Sequence, residues 1–228
     1  MNKKSLQDKL ISLQDKKYQS FQYKLIPTVK ENSIIGVRTP DLRAIAKEMN
    51  KDIYKEEFLN DLPHLYFEEN QIHSFLIGLE KDFDKALVMI NSFLPYIDNW
   101  ATCDQSTPIS LKKKPDNTIL EVKKWINTGK TYYIRYGIGV LLALFLDDLF
   151  KEEHLQIVAN IHSDEYYVQM MQGWYFATAL AKKYDEAIKY IENGLLDKTV
   201  NNITIKKAIE SYRITENQKV YLKEFRIK

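Results

Sequence analysis

TPDLRAIAKEM, residues 39–49, reads as a helix from its opening residues. Thr39 is a capping type, Pro40 suits a first helical position where its missing N–H is not needed, and Asp41 complements the positive end of the helix dipole. Apolar residues then recur at helical spacing. The same periodicity runs outward from this segment in both directions. It marks helices at roughly 5–22, 65–80, 84–93, 97–107, 116–127, 131–148, 151–162, 165–183, 185–192, 203–212 and 216–225. No two successive segments alternate like strands around a tight turn, and seven glycines and six prolines are few for a sheet protein.

The longer segments begin near residues 65, 97, 131, 165 and 203, about 32 to 38 residues apart, and each is followed by a shorter one. That spacing predicts an all-α solenoid of stacked antiparallel helix pairs with a concave face. The fixed Trp, Leu-Gly, Tyr and Pro offsets of tetratricopeptide repeats are missing, so HEAT-like pairs are expected, in a single domain spanning 1–228.

Composition bounds the function. Of 228 residues, 45% are apolar and 28% charged, ordinary values for a soluble globular protein. No uncharged apolar run approaches the eighteen residues of a membrane span, and MNKKSLQDKLISLQDKK lacks the apolar centre of a secretion signal. One cysteine, Cys103, excludes an internal disulfide and fits a reducing cytoplasm. It reads as a packed thiol. Lys and Arg number 33 against 31 Asp and Glu, a net charge of +2, so nucleic-acid binding would need local clusters. Lys112, Lys113 and Lys114 form one, and Lys206 with Lys207 another. The four histidines form no metal-ligand spacing, and no metal is expected. His64 with Glu68 and Glu69 with His73 read as helix-surface pairs.

Chemistry is suggested by DNWATCDQ (98–105), YYIRYGIGVLLALFLDD (132–148) and EYYVQMMQGWYFATALAKKY (165–184). Trp100 and Asp104 sit four apart on one helix face. Arg135 interrupts an apolar helix, and Trp174 lies mid-helix. As first members of successive pairs, these helices are expected to stack and bring Trp100, Asp104, Arg135 and Trp174 into one groove. Plainer readings are available: each Trp as core, Asp104 as a cap or as the ion-pair partner of Arg135.

IIGVRTPDLRAIAKEM (34–49), WATCD (100–104), YYIRYGI (132–138) and EYYVQMMQGW (165–174) together resemble, in order and spacing, the AlkD-like alkylpurine DNA glycosylases, the DNA alkylation repair family built from HEAT-like repeats. The resemblance covers roughly residues 20–215. It implies that Trp100 and Trp174 flank the deoxyribose of a damaged nucleotide, that Asp104 is the catalytic carboxylate, and that Arg135 holds backbone phosphate. It further implies a monomer acting on double-stranded DNA that carries N3- or N7-alkylated purines, without cofactor or metal. Two positions depart from its pattern: Met170 and Ala177 stand where it implies basic side chains. The other readings compatible with the sequence are a non-catalytic DNA-binding member of the same fold and a protein-binding helical scaffold.

Overall fold

The computed structural model describes residues 1–228 and contains fourteen α-helices and no strand. The chain divides into two compact units, Met1–Lys114 and Pro115–Lys228. None of the helices is long and apolar enough to cross a membrane.

The first unit holds α1 (Lys3–Ser12), α2 (Lys16–Leu25), α3 (Thr39–Met49), α4 (Tyr54–Asn60), α5 (Phe67–Leu79), α6 (Phe83–Phe93) and α7 (Trp100–Cys103). Its core joins Leu6 and Leu10 of α1 to Leu42, Ile45 and Met49 of α3, Tyr54 and Phe58 of α4, and Ile72, Phe75 and Leu76 of α5. The expected helix at 5–22 is two helices. Asp15 breaks it, accepting hydrogen bonds from the N–H groups of Lys17 and Tyr18 and so capping α2. Helix α3 has the expected bounds, but Thr39 lies inside it. Arg38 occupies the capping position and makes no side-chain cap bond. Helix α4 has no counterpart among the expected segments, and its seven residues are too few for a periodicity to register.

The turn Ile34–Val37 before α3 is strapped down by a buried carboxylate. Glu68 of α5, 1% exposed, accepts from the N–H groups of Ile35, Gly36 and Val37 at 2.9, 2.7 and 3.3 Å. Burial raises its pKa, and the three backbone donors oppose that rise. Gly36 has φ +95°, and a Cβ there would sit 2.6 Å from the carbonyl oxygen of Asp15.

Helix α5 is buried around its whole circumference, polar residues included. The expected surface pairs His64–Glu68 and Glu69–His73 therefore do not form. Glu69 accepts from the N–H groups of Leu65 and Tyr66 and from Gln7, while His64 and His73 hydrogen-bond each other at 2.9 Å. The two imidazoles stack on Phe58 and Phe93, with ring centroids 4.4 and 3.9 Å apart. Tertiary packing has overridden the local four-residue pairing.

The second unit holds α8 (Pro115–Asn127), α9 (Thr131–Leu144), α10 (Glu152–Ala159), α11 (Tyr166–Lys182), α12 (Tyr184–Glu192), α13 (Lys198–Glu210) and α14 (Glu216–Glu224). Helices α9, α11 and α13 pack side by side; α8 backs α9, α12 backs α11 and α14 backs α13. This is the arrangement expected of a helical repeat. Close approach is bought with glycine. A Cβ on Gly173 of α11 would lie 2.4 Å from Cγ2 of Ile203 on α13, and one on Gly137 of α9 would lie 3.1 Å from Ile126 of α8. Helix α13 begins five residues before its expected start, so Lys206 and Lys207 lie in its last turns rather than opening it.

Candidate functional site

The expected helix at 97–107 is only one turn, α7, followed by a turn and a 3-10 segment at Ile109–Lys113. That single turn is well supported. Asn99 caps it by accepting from the N–H of Thr102 at 2.8 Å. Gln71 donates to the Thr102 hydroxyl at 2.9 Å, and Ser74 and Ser106 both donate to the Thr102 carbonyl at 3.1 Å. Asn99, Gln71, Thr102, Ser74 and Ser106 are all buried, so α5 fixes α7 through a dry polar network.

Trp100 and Asp104 are adjacent levels of this turn, because the N–H of Asp104 donates to the carbonyl of Trp100 at 3.0 Å. Both side chains are half-buried. The Trp100 indole packs on the cluster of Ile26, Val29, Ile34 and Phe67, and its Nε1–H donates to the Leu25 carbonyl at 2.9 Å. The ring is thus fixed at one edge. Cys103 is buried, as a packed thiol should be.

A cation beside this turn escaped the sequence reading. Arg43 of α3 hydrogen-bonds the side chain of Gln105, the residue after Asp104, and its guanidinium lies 4.2 Å from the Phe75 ring centroid. Its only sequence signal is a position four residues after Thr39 on an otherwise apolar-patterned helix. Among the three expected phosphate-binding lysines of this unit, Lys113 donates to the Lys81 carbonyl at 2.7 Å and Lys114 pairs with Asp84 at 2.9 Å. Those two anchor the 3-10 segment to the start of α6, and Lys112 makes no such ion pair.

In the second unit Arg135 is 4% exposed and its Nη1 donates to the Tyr167 carbonyl at 2.8 Å, tying α9 to the first turn of α11. Trp174 is the opposite case. It is 48% exposed, and Lys207 Nζ lies 5.3 Å from its ring centroid. Trp174 projects outward next to Gly173, whose missing side chain lets α13 come close enough to bring Lys207 over the indole. Lys206 is exposed on the same helix. Ala177 is buried and Met170 half-buried. The third tryptophan, Trp125, is core, packed edge-on against Tyr136 at 5.1 Å. Of the three indoles, the two expected to face a ligand are the two that reach the surface.

The sequence model described as DNA alkylation repair enzyme matches residues 6–212. The chain belongs to the DNA alkylation repair enzyme family. The match takes in α7, Arg135, Trp174 and both lysine clusters, and it stops before α14. No curated protein matches the sequence. Membership assigns the protein a role in repairing alkylated DNA and makes DNA its partner.

Proposed function

We propose that this DNA alkylation repair enzyme is a monofunctional DNA glycosylase releasing N3- or N7-alkylated purines. Such a purine is cationic, so the C1′–N bond breaks with its electron pair going to the base, which leaves neutral. The sugar passes through an oxocarbenium-like state, and water adds at C1′, losing a proton to solvent. A carboxylate at Asp104 would stabilise the sugar's charge and orient the water. The indole of Trp100, on the same turn, would offer a π-face to that cation, worth roughly 0.5–2 kcal/mol. Lys112, Lys206 and Lys207 would meet phosphates.

The observation supporting this reading is that α7 holds Trp100 and Asp104 on one turn, fixed from beneath by Asn99, Gln71, Ser74 and Thr102. A turn held in this way limits how far the carboxylate it carries has to move as charge develops. The test is single-turnover release of free base from duplex carrying N7-methylguanine. Asp104→Asn should slow release by roughly 10²–10³-fold while leaving DNA affinity nearly unchanged. No release by the wild type, or equal release by Asp104→Asn, would remove the catalytic role.

A second reading, DNA binding without catalysis, is favoured by Arg135, whose guanidinium is buried on the Tyr167 carbonyl rather than presented to a phosphate. Under that reading the wild type binds alkylated duplex and releases nothing.

A further inference from the structure

The charge of the chain is unevenly placed. Residues 198–228 carry eight Lys and Arg against three Glu, a net charge of +5, whereas residues 1–197 carry 25 Lys and Arg against 28 Asp and Glu, a net charge of −3. A net of +2 therefore conceals one strongly basic element, the hairpin of α13 and α14. Its second helix, α14, lies beyond residue 212, where the family match ends.

The hairpin is an ordered platform. Leu222 and Ile214 are buried beneath it. Asn201 donates to the Phe225 carbonyl at 2.9 Å. Asn202 donates to the Ile227 carbonyl at 2.8 Å and accepts from its N–H at 3.0 Å. The final residues are thereby docked on the first turns of α13. The Thr215–Gln218 capping box fixes the other end of α14.

Its cations are largely uncommitted. Lys219 pairs with Glu216 at 2.9 Å, and Lys198 is spent on the carbonyl of Lys228. Lys206, Arg213, Lys223 and Arg226 are exposed and make no ion pair, in contrast to Lys3, Lys9, Lys114, Lys123 and Lys182, each held by a carboxylate. At the tip of the hairpin Tyr212 is 89% exposed, with the Arg213 guanidinium 5.9 Å from its ring centroid. Lys207 already joins this element to Trp174. Unpaired cations with an exposed aromatic fit a polyanion that also offers flat faces.

We propose that the α13–α14 hairpin is a second, sequence-independent DNA-contact element, in which Arg213, Lys223 and Arg226 engage duplex phosphates and Tyr212 packs against the sugar–base edge. It rests on DNA being the partner, and it does not depend on base excision. The test is fluorescence anisotropy of undamaged duplex DNA across a salt series, using the full chain. Each phosphate contact contributes about 0.9 to the slope of log affinity against log salt, so Arg213→Ala/Lys223→Ala/Arg226→Ala should flatten the slope by about 2–3. The triple Gln variant should do the same, and Tyr212→Ala should weaken affinity with the slope unchanged. Equal slopes for wild type and both triple variants would overturn the proposal. So would binding to anionic phospholipid vesicles that the triple variants lose while their DNA slope stays intact. A wild type that binds undamaged duplex but releases no base would end the glycosylase reading and leave this one standing, whereas failure of the wild type to bind any DNA would end both.

Discussion

Gly173 shows how much one residue can control. The absence of a side chain lets α11 and α13 meet, and the neighbouring Trp174 is turned to the surface under Lys207. Gly173→Ala would drive its methyl into Cγ2 and Cβ of Ile203, and that Cβ is fixed by the backbone of α13. The expected cost is about 1–3 kcal/mol, read as a lower urea midpoint, with part of it recovered in Gly173→Ala/Ile203→Ala, which removes Cγ2 but keeps the Cβ 2.8 Å away. An unchanged midpoint in the single variant would mean that the two helices can separate freely. Arg135 supplies a second residue-scale expectation. Buried and bonded to the Tyr167 carbonyl, it should act first on stability: Arg135→Ala should lower the melting temperature, because it removes the buried bond that ties α9 to the first turn of α11. Weaker DNA binding with an unaltered melting temperature would return Arg135 to the phosphate role that the family resemblance implies.

At the scale of elements, legibility followed length and solvent contact. Helices α3, α6, α8 and α11 were readable because each has a wet face and a dry one, which is the condition for a periodic pattern. Helix α5 was readable as a helix, but its partners were not. Glu68, Glu69 and His73 look like surface residues in one dimension and are buried in three. Helix α7 was read as too long, since its four residues are sustained by side chains from α5 that no local pattern reports. For the candidate site, residue type and spacing single out Trp100, Asp104 and Trp174 as candidates, whereas Arg43 gives no such signal because its relation to Gln105 is purely tertiary. Glu68 offers the element-scale test. Glu68→Gln keeps the shape but turns one acceptor into a donor facing the N–H groups of Ile35 to Val37. It should destabilise the first unit by about 1–3 kcal/mol. Faster amide exchange at those three residues is the expected signature, and unchanged exchange would show the turn to be held by other contacts.

For the molecule as a whole, the buried imidazoles set an acid limit. Burial pushes His64 down to about 4 from 6.5, with Asp61 opposing and Lys3 assisting, and burial followed by the charge of His64 holds His73 well below its ordinary value. His154 is also lowered by burial; its Nδ1 accepts from the N–H of Lys151 at the start of α10, a bond that needs the neutral ring. The unfolded chain takes up these protons below about pH 6.5, whereas the folded chain resists them until lower pH. The share of stability that these histidines contribute is therefore complete above 6.5 and declines as pH falls toward about 4, while Glu68, whose pKa burial raises, works in the opposite direction. The carboxylates whose pKa values are lowered, such as Asp15 and Asp82, titrate below this window. Urea midpoints should drop between pH 7.5 and 5, and His64→Phe/His73→Leu should reduce the drop; a flat wild-type profile would contradict this account. The dry setting of Cys103 has a different consequence. Electrophiles that methylate purines also attack thiolates, and the chain's one thiol sits 1% exposed on the turn that carries Trp100 and Asp104. The folded enzyme is thereby shielded from the reagents whose damage its family repairs, and the rate at which a small maleimide captures that sulfur becomes a clock for how often the turn opens.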